Sequence, residues 1–527
     1  MARIAVIGAG MGAMAAAARL AVAGHRVTVY ERTDTYGGGV RRFTREGFSF
    51  DTGPGLLPLP AVWRDLFVKT GKEPLEECVE LTQVDPAARH VFADGTRVSL
   101  PNASRAGVVA ALDAALGGGA GTRWGDFLVR AREAWDRTRR PLLEEPLWAD
   151  WRVLAEREPY PAVPRRRRLR TRTASTLAEV GALELADPRL AALLESHALA
   201  WGLDPRTTPA SAAVLPYMEH AFGLWYVRGG LRELARAVYE RCLARRVEFV
   251  FGAEVTAVVE KDGRAAGVET ADGTVAEAEH VVAGVDPVRL AGLAGRPPWA
   301  EGQVGADAAA AGAAGAGRFT VLLALRGARE ADAAHRTVVH SPDRPAELDL
   351  LAGRTPSAAV RPTVTVLRPD DAALRPDGGH ESVVVSAAVP VGDGHGWTSE
   401  EGRERLADRV LAAAEAAVPG LRERVLWREV RTPADTAAET GVGSGAVPWP
   451  ALAAGDGRFL RPGNTTGRPG LFAVGGWAGA AGRRAAARGH VRGAGRRADR
   501  GGAPLPGLPV GSPAGKGGPL PSRARSP

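Results

Sequence analysis

The sequence predicts a two-domain α/β protein: a Rossmann-like dinucleotide-binding domain with a mixed sheet, and a second domain of sheet and helices. Three observations favour this fold. A strand, a glycine-rich turn, a helix and a second strand follow one another in residues 3–31. Short strand patterns closed by an Asp-Gly turn return at residues 247–283. The chain, at 527 residues, is too long for a single hydrophobic core.

The first part of the chain shows the βαβ pattern most clearly. Arg3 to Ile7 is rich in β-branched residues and predicts a buried strand. A run of mostly small residues from Met14 to Ala23, closed by Gly24, predicts a helix with a glycine stop. Val27 to Tyr30 predicts the second strand, and Glu31 stands at its end. This order of elements is the fingerprint of dinucleotide-binding folds.

The residues between the first strand and the helix predict the chemistry of this unit. Gly8 allows the tight turn, and Gly10 lets the backbone approach a pyrophosphate. Ala13 stands at the third position of the motif and is tolerated where the helix packs on the strand, and Gly12 is counted with the cofactor-binding residues. The free N–H groups and the dipole of the helix N-terminus favour an anion. Glu31 would accept hydrogen bonds from a ribose hydroxyl. Because the glycine turn, the helix and this acidic residue occur together, we expect a bound dinucleotide here.

Composition and cysteine content exclude several function classes. Hydrophobic residues make up 45% of the chain and charged residues 24%, which is typical of a globular protein. Cys78 and Cys242 form no CxxC pair, so we predict no disulfide framework, no bound metal and a cytoplasmic location. No run of about 18 apolar residues is present, so we predict no membrane-spanning segment.

The net charge of +8 is concentrated at one end of the chain. Residues 478–527 contain ten basic residues and one acidic residue, a net charge of +9, which leaves −1 for residues 1–477. Basic charge would have to cover the folded body to bind nucleic acid. We therefore predict no nucleic-acid partner.

Glycines cluster a second time after the second strand. Gly37 and Gly38 belong to a run that ends at Arg41, and the alternation of Phe48 and Phe50 predicts a strand with one buried face. Such glycines let the backbone lie close against a flat or charged group, although a plain surface loop is the alternative.

Residues 85–215 carry long helical patterns and predict a mainly helical insertion. A cluster of arginines from Arg165 to Arg172 lies within it. A solvated loop is the favoured interpretation of that cluster. The functional alternative is a patch that faces anionic lipid.

Taken together, these segments resemble the phytoene desaturase family of FAD-dependent oxidoreductases, the CrtI-type carotenoid desaturases, which are related to the amine oxidases. The matching segments lie in family order between residues 4 and 478: VIGAGMGAMAAAARLA, ER–YGGG, GFSFDTGPGLLPLP, WYVRGGLRELA, GAEVTAV, VVAGVDP, RTPAD and RPGNTTGRPGLFAVGGWA. The resemblance implies an FAD-binding domain built from residues 1–80, 222–290 and 430–478, of the three-segment, glutathione-reductase-like kind. Residues 81–221 and 291–429 would then form the substrate domain.

The resemblance also implies further contacts with FAD, beyond Gly8, Gly10, Gly12, Ala13 and Glu31. These are Arg32, the glycine pair Gly37 and Gly38, the backbone of Val255 near the adenine, and Gly475 and Gly476 near the flavin end.

The chain departs from the family after the glycine pair. Relatives often carry Arg or Lys there, whereas this chain has Gly39. Arg41 and Arg42 are the candidate substitutes.

The implied activity is desaturation or isomerisation of a carotenoid or isoprenoid, by hydride transfer to the flavin and loss of a proton from the neighbouring carbon. The apolar substrate implies contact with the inner face of a membrane. The catalytic residues are unknown. Glu219, His220 and His395 are candidate proton acceptors by residue type alone, and a structural or exposed residue is the favoured interpretation of each.

Two other functions stay open, as does the oligomeric state. An amine-oxidase-like flavoenzyme would need an aromatic cage beside the flavin, but the chain has six tyrosines and no paired aromatic motif near Gly475. A decayed, non-catalytic paralogue with a truncated FAD site is the third hypothesis, and the last fifty residues keep it open.

Residues 479–527 form a tract rich in Gly, Ala, Arg and Pro that predicts disorder. Relatives carry a segment like HPGGGLPxxGMSGxxVA after the last strand. Back-translation of residues 482–497 with G/C-rich codons can encode GGGLPHAGMSGALVA one base later. Our hypothesis is that a frameshift near residues 478–482 replaced the native C-terminus, which would weaken flavin binding. DNA across codons 470–500 that cannot encode this segment in another frame would disprove it.

Overall fold

The computed structural model describes residues 1–144, 150–164, 171–299, 315–355, 360–392, 397–476 and 478. Several sequence predictions lie outside these residues: most of the arginine cluster, the candidate proton acceptor His395, and the disordered, frameshifted tail predicted for residues 479–527.

A parallel sheet of five strands carries the predicted βαβ unit. The strands at its centre pair Val6 with Val29 on one side and with Val282 on the other. In spatial order the strands are Glu248–Phe251, Arg26–Glu31, Arg3–Ile7, His280–Ala283 and Leu471–Ala473. Because all five run parallel, their carboxyl ends lie at the same edge, where open α/β sheets bind ligands.

Two helices pack together beside this sheet, Met11–Val22 and Leu231–Ala244. Met14 and Val238 are fully buried in the shared core, where the small residues of the first helix allow close packing. The first helix begins at Met11, three residues earlier than predicted, because a glycine in the first turn weakens a helix without ending it.

A second, mixed sheet has seven strands. In spatial order they are Val425–Arg431, Ala316–Arg326, His380–Pro390, Val364–Leu367, Arg336–Val339, Ala88–Val91 and Arg97–Leu100. The helix Glu400–Ala414 packs on one face, where Leu406 and Val410 join the core of Phe319 and Val385.

The prediction of a mainly helical region at residues 85–215 is wrong at its beginning. Ala88–Val91 and Arg97–Leu100 are strands of the seven-stranded sheet. Ala88–Val91 pairs in parallel with Arg336–Val339, nearly 250 residues away, and a local sequence pattern does not reveal such a partner. From Arg105 onward the region is mostly helical, as expected.

The other helices of the described residues are Pro60–Thr70, Leu75–Cys78, Arg105–Leu116, Ala120–Arg139, Arg152–Glu156, Leu177–Val180, Pro188–Leu199, Val214–Phe222, Pro287–Ala294, Arg344–Leu351, Leu421–Arg424 and Pro433–Thr440. Short π or 3₁₀ turns lie at Arg140–Glu144, Gly181–Leu185, Ala210–Ala213, Ala372–Leu374 and Gly455–Gly457. Smaller sheets join Leu57–Pro58, Leu224–Val227 and Leu81–Gln83; Val255–Lys261, Arg264–Thr270 and Val275–Glu277; Arg42–Arg45 and Phe48–Asp51; and Val163–Pro164 and Thr171–Arg172.

Candidate functional site

The glycine loop follows the central strand of the parallel sheet. Gly8 has a φ of +87°, which favours glycine, and its N–H donates to the carbonyl of Tyr30 at 2.8 Å. The helix then begins at Met11, with Gly10 as its N-cap. No described side chain caps this N-terminus, and its first turn holds no acidic residue. The first N–H groups of the helix are therefore free to bind an anion.

Gly10 and Gly12 are glycines for different reasons. A Cβ on Gly12 would lie 2.6 Å from the Cα of Gly475, so the packing of the protein itself excludes a side chain there. Gly10 has a φ of −68°, which any residue can adopt, and a Cβ on it would meet no protein atom within 4 Å. The space beside Gly10 thus fits a group that approaches the backbone closely, as a pyrophosphate does.

Glu31 accepts three hydrogen bonds, one from the glycine loop and two from Thr33. It is 7% exposed. Its Oε2 accepts the N–H of Ala9 at 2.8 Å, and its Oε1 accepts both the N–H and the hydroxyl of Thr33 at 2.9 Å. Oε1 already accepts two hydrogen bonds, whereas Oε2 accepts one and can accept another. Glu31 therefore keeps the capacity to bind a ribose hydroxyl through Oε2.

The glycine pair lies directly on the loop. The N–H of Gly37 donates to the carbonyl of Ala9 at 2.8 Å. Gly38 has a φ of +61°, and a Cβ on it would lie 3.0 Å from the Cα of Gly10. The second glycine cluster of the sequence is therefore brought onto the first.

The last strand of the parallel sheet brings in the C-terminal glycines. Gly475, which follows Leu471–Ala473, lies against Gly12 in the first turn of the helix and has a φ of +104°. A Cβ on Gly476 would lie 3.3 Å from Pro448. The loop, the glycine pair and Gly475 thus share one edge of the sheet.

Two further predicted residues occupy less direct positions. The side chain of Val255 is buried beneath the sheet with Ala5 and Ile7, so only its backbone could contact a ligand. Two residues earlier, the N–H of Ala253 donates to the carbonyl of Glu31 at 2.9 Å. Arg32 donates to the carbonyl of Ala438, and the structure gives it no contact with the glycine loop among the described residues.

An acidic residue that the sequence did not single out links two of the motifs. Asp51, at the end of its strand, accepts the N–H groups of Leu231 at 2.7 Å and Arg232 at 3.3 Å. It thereby caps the helix Leu231–Ala244, and a Cβ on Gly230 would lie 2.6 Å from it. Burial raises the pKa of Asp51 to about 6, against the effect of these hydrogen bonds. This single contact explains both the aspartate of the GFSFDTGP segment and the second glycine of the WYVRGGLRELA segment.

Glu219, a candidate proton acceptor, forms an ion pair instead. Both of its oxygens accept from Arg336, at 2.6 and 3.1 Å, and His197 lies 3.6 Å away. Burial opposes ionisation, but the charges and hydrogen bonds of Arg336 and His197 outweigh it and hold the pKa of Glu219 well below its usual range. Burial lowers the pKa of the second candidate, His220.

A histidine pair was missed by sequence reasoning. Nδ1 of His90 and Nε2 of His340 are 3.0 Å apart, and both rings are buried. Burial lowers the pKa of both side chains, to about 3 for His340, so both are neutral. No local signal identifies the pair, because the two residues are 250 positions apart.

Beside the glycine pair lies a cleft of about 460 Å³. Five arginines and two glutamates line it, which gives it a positive charge: Arg41, Arg42, Arg232, Arg236, Arg431, Glu233 and Glu439.

Two kinds of site are not found among the described residues. No group of three or more His, Cys, Asp or Glu side chains could hold a metal ion. Within the same residues, no helix combines the length and the apolar character needed to cross a membrane.

Comparison with known proteins finds one family model, several relatives and several solved structures that this chain resembles. The model of the family "Flavin containing amine oxidoreductase" matches residues 14–490. A 4,4'-diapolycopene oxygenase from Methylomonas sp is 31% identical over 287 residues, which are 54% of this chain and 56% of that protein. A neurosporene-forming phytoene desaturase from Cereibacter sphaeroides is 27% identical over 447 residues, 82% of each protein. The chain thus spans little more than half the length of the first of these relatives.

Among solved structures, an oxidoreductase from Methanosarcina mazei superposes with a TM-score of 0.59 at 18% identity, covering 92% of this chain and 99% of that one. At this identity the likeness concerns the fold alone. It confirms the predicted α/β class with a Rossmann-like domain and a substrate domain.

Proposed function

Because the chain belongs to the family of flavin-containing amine oxidoreductases, with FAD as its cofactor, we propose that it desaturates a carotenoid or a similar isoprenoid. Bound FAD would supply an acceptor for the hydride of one substrate carbon, and loss of a proton from the neighbouring carbon to a basic group would then leave a carbon–carbon double bond. Isomerisation of the same class of substrate is the variant of this proposal.

The observation that carries the cofactor part of this proposal is the free surface at Gly10. A residue with φ −68° and no protein atom within 4 Å of its Cβ position has no internal need to be glycine. We propose that the pyrophosphate of FAD lies there, on the N–H groups of Gly12 and Ala13. Glu31 would accept from the adenosine ribose, at the other end of the same loop.

The other cofactor contacts expected from the sequence, at Gly38, Gly475, Val255 and Arg32, stay predictions. Gly475 lies against the loop, and a Cβ on it would meet no protein atom within 4 Å, so its lack of a side chain leaves room for a bound group. The lack of a side chain at Gly38 lets the glycine pair pack on Gly10. Val255 can take part through its backbone alone. Arg32 is the predicted contact that the geometry supports least, since its guanidinium binds Ala438.

The substrate class rests on the relatives. One is named an oxygenase of 4,4'-diapolycopene and another a phytoene desaturase, and both names are of carotenoid enzymes. An apolar polyene needs an apolar channel with few polar groups, and the carbon that loses a proton needs an acceptor nearby.

Of the candidate proton acceptors, Glu219 is unsuited to this role. A carboxylate whose pKa is held far below neutrality by Arg336 is a weak base. His220 is neutral at pH 7, because burial lowers its pKa, and it keeps the capacity to accept a proton. We therefore retain His220 as a candidate and assign Glu219 a structural role.

Two measurements test the proposed function. The purified full chain should show flavin absorbance, and co-expression with a phytoene-forming enzyme should change the pigment that the cells accumulate. Oxidation of amines with no effect on pigment would favour an amine-oxidase-like enzyme instead. A colourless protein that takes up no added FAD would favour a decayed paralogue.

We further propose that the protein works in the cytoplasm at the inner face of a membrane, because a carotenoid substrate partitions into lipid. The basic residues near Arg172 would favour anionic headgroups. Sedimentation with anionic vesicles at low salt, reversed by high salt, is the expected result. Recovery wholly in the supernatant at low salt would contradict this proposal.

A further inference from the structure

The arginines that line the cleft beside the glycine pair are of two kinds: some form ion pairs with glutamates and others do not. Arg42 binds Glu233, Arg236 binds Glu233 and Glu240, and Arg431 binds Glu439. These three charges are neutralised by carboxylates. Arg41 and Arg232, which line the same cleft, form no ion pair with a described carboxylate.

Arg232 has a structural task that uses both terminal nitrogens of its guanidinium. It donates to the carbonyls of Tyr36 and Val40 and to the hydroxyl of Thr35, and it stacks 4.0 Å from the centre of the Tyr36 ring. It holds the backbone on both sides of the glycine pair. Arg232 therefore has little capacity left for a ligand.

Arg41 is placed differently. Its Nε donates to the carbonyl of Gly38 at 2.9 Å, and its Nη2 donates to the hydroxyl of Thr33 at 3.0 Å. That hydroxyl in turn donates to Glu31 at 2.9 Å. The guanidinium thus lies between the two groups that frame the glycine loop, and Gly38 contacts Gly10.

We infer that Arg41 is the residue whose charge faces a phosphate of FAD. Its Nη1 makes no hydrogen bond within the described part of the chain, and the residue is only half-buried. A guanidinium with free donors beside a diphosphate site forms short, charge-assisted hydrogen bonds. Gly39, the residue after the glycine pair, has no side chain that could do this. The inference deepens the assignment of the cofactor site and rests on it.

The neighbouring Arg42 provides a matched control. Its guanidinium turns away from the loop, to the carbonyl of Gly229 and to Glu233. Arg41 and Arg42 are adjacent in sequence and alike in chemistry, and they differ in the direction of their contacts. A role in phosphate binding should therefore belong to one of them only.

The test is titration of the apoprotein with FAD, followed by flavin fluorescence. Arg41→Ala should weaken FAD binding by about tenfold to a hundredfold, the usual effect of losing a charged hydrogen bond. Arg41→Lys should lose less than Arg41→Ala, and Arg42→Ala should stay within about threefold of wild type. Thermal unfolding of each apoprotein shows whether the variant folds.

Two further ligands identify the group that Arg41 binds. Riboflavin has no phosphate, so Arg41→Ala should leave its affinity unchanged. Free pyrophosphate should compete with FAD in the wild type more strongly than in Arg41→Ala. Equal loss of FAD and riboflavin affinity would show a merely structural role and overturn the inference.

The outcomes also separate this inference from the cofactor assignment. FAD binding that is strong and independent of Arg41 would overturn the inference and leave the cofactor site in place. If pyrophosphate binding depends on Arg41 while FAD binding does not, the cleft holds a separate anion and the inference is wrong. Absence of FAD binding in the wild type would overturn both.

Discussion

The glycine loop and the Glu219 ion pair show two ways of building a polar site in one chain. The loop gathers Gly8, Gly10 and Glu31 from a single stretch, and it presents backbone N–H groups beside open space. The ion pair gathers Glu219 and Arg336 from positions 117 residues apart and presents charges that are already paired. The first N–H groups of the helix that follows the glycine loop have no side-chain acceptor among the described residues. The charges of Glu219 and Arg336, by contrast, are already paired with each other.

This difference separates binding from stability. A free helix N-terminus beside a glycine adds little to the stability of the fold, and it favours the binding of an anion. A paired, largely buried carboxylate contributes to the fold, and it resists the change of protonation that catalysis would need. Loss of the glycine at the loop should therefore affect the cofactor, whereas loss of a charge from the pair should affect the fold.

The largest effect is expected for Gly10→Val. The fold has room for a Cβ there, since a Cβ meets no atom within 4 Å and the φ of −68° suits any residue. The added carbons would occupy the space that we assign to the pyrophosphate, so FAD affinity should fall by roughly a hundredfold or more. Flavin fluorescence titration measures the affinity, and thermal unfolding should show an apoprotein of nearly wild-type stability.

Gly12→Val is the matched control for this variant. Its Cβ would lie 2.6 Å from the backbone of Gly475, so the unliganded protein itself should be destabilised. A fall of about 2 kcal/mol in the free energy of unfolding is the expected scale. If Gly10→Val destabilises the apoprotein as much as Gly12→Val does, the protein itself needs a glycine at residue 10. The space beside Gly10 would then be no evidence for a bound pyrophosphate.

The second effect concerns Glu219→Gln. The substitution leaves Arg336 without its carboxylate, and breaking a largely buried ion pair costs about 3 kcal/mol of stability. The folded pKa of Glu219 lies below the unfolded value of 4.5, so the stabilisation is present above pH 4.5 and is lost as the pH falls further. Urea unfolding at several pH values should show the two proteins converging in acid.

The catalytic interpretation of Glu219 would require another result. If Glu219→Gln retained full stability at pH 7 and bound FAD normally, but lost activity, this residue would be an acceptor and its structural assignment would be wrong. His220→Gln provides the comparison, because His220 forms no ion pair with a described residue. It should affect turnover more than stability.

The same contrast explains what could be predicted from the sequence. The strand, glycine turn, helix and Glu31 are determined by neighbours in the chain, and all were predicted within a few residues. The strand Ala88–Val91 was not predicted, because its partner lies nearly 250 residues away. Long-range pairing of side chains leaves no periodic pattern in the sequence, and the pair His90–His340 was missed for that reason.

Asp51 is the intermediate case and provides the smallest predicted effect. It lies within the GFSFDTGP segment, in the same N-terminal part of the chain as the glycine loop, yet it acts on Leu231 through a long-range cap. Its folded pKa of about 6 is above the unfolded 3.8, so protonation favours the folded state. This contribution to stability is fully present below pH 3.8 and is lost as the pH rises through 6.

In Asp51→Asn this pH dependence of the free energy of unfolding should disappear. The difference in unfolding free energy between wild type and variant should therefore change by about 2 kcal/mol between pH 4 and pH 7. A difference that stays constant over this range would show that Asp51 titrates normally and that its environment is open to water, like that of a surface cap.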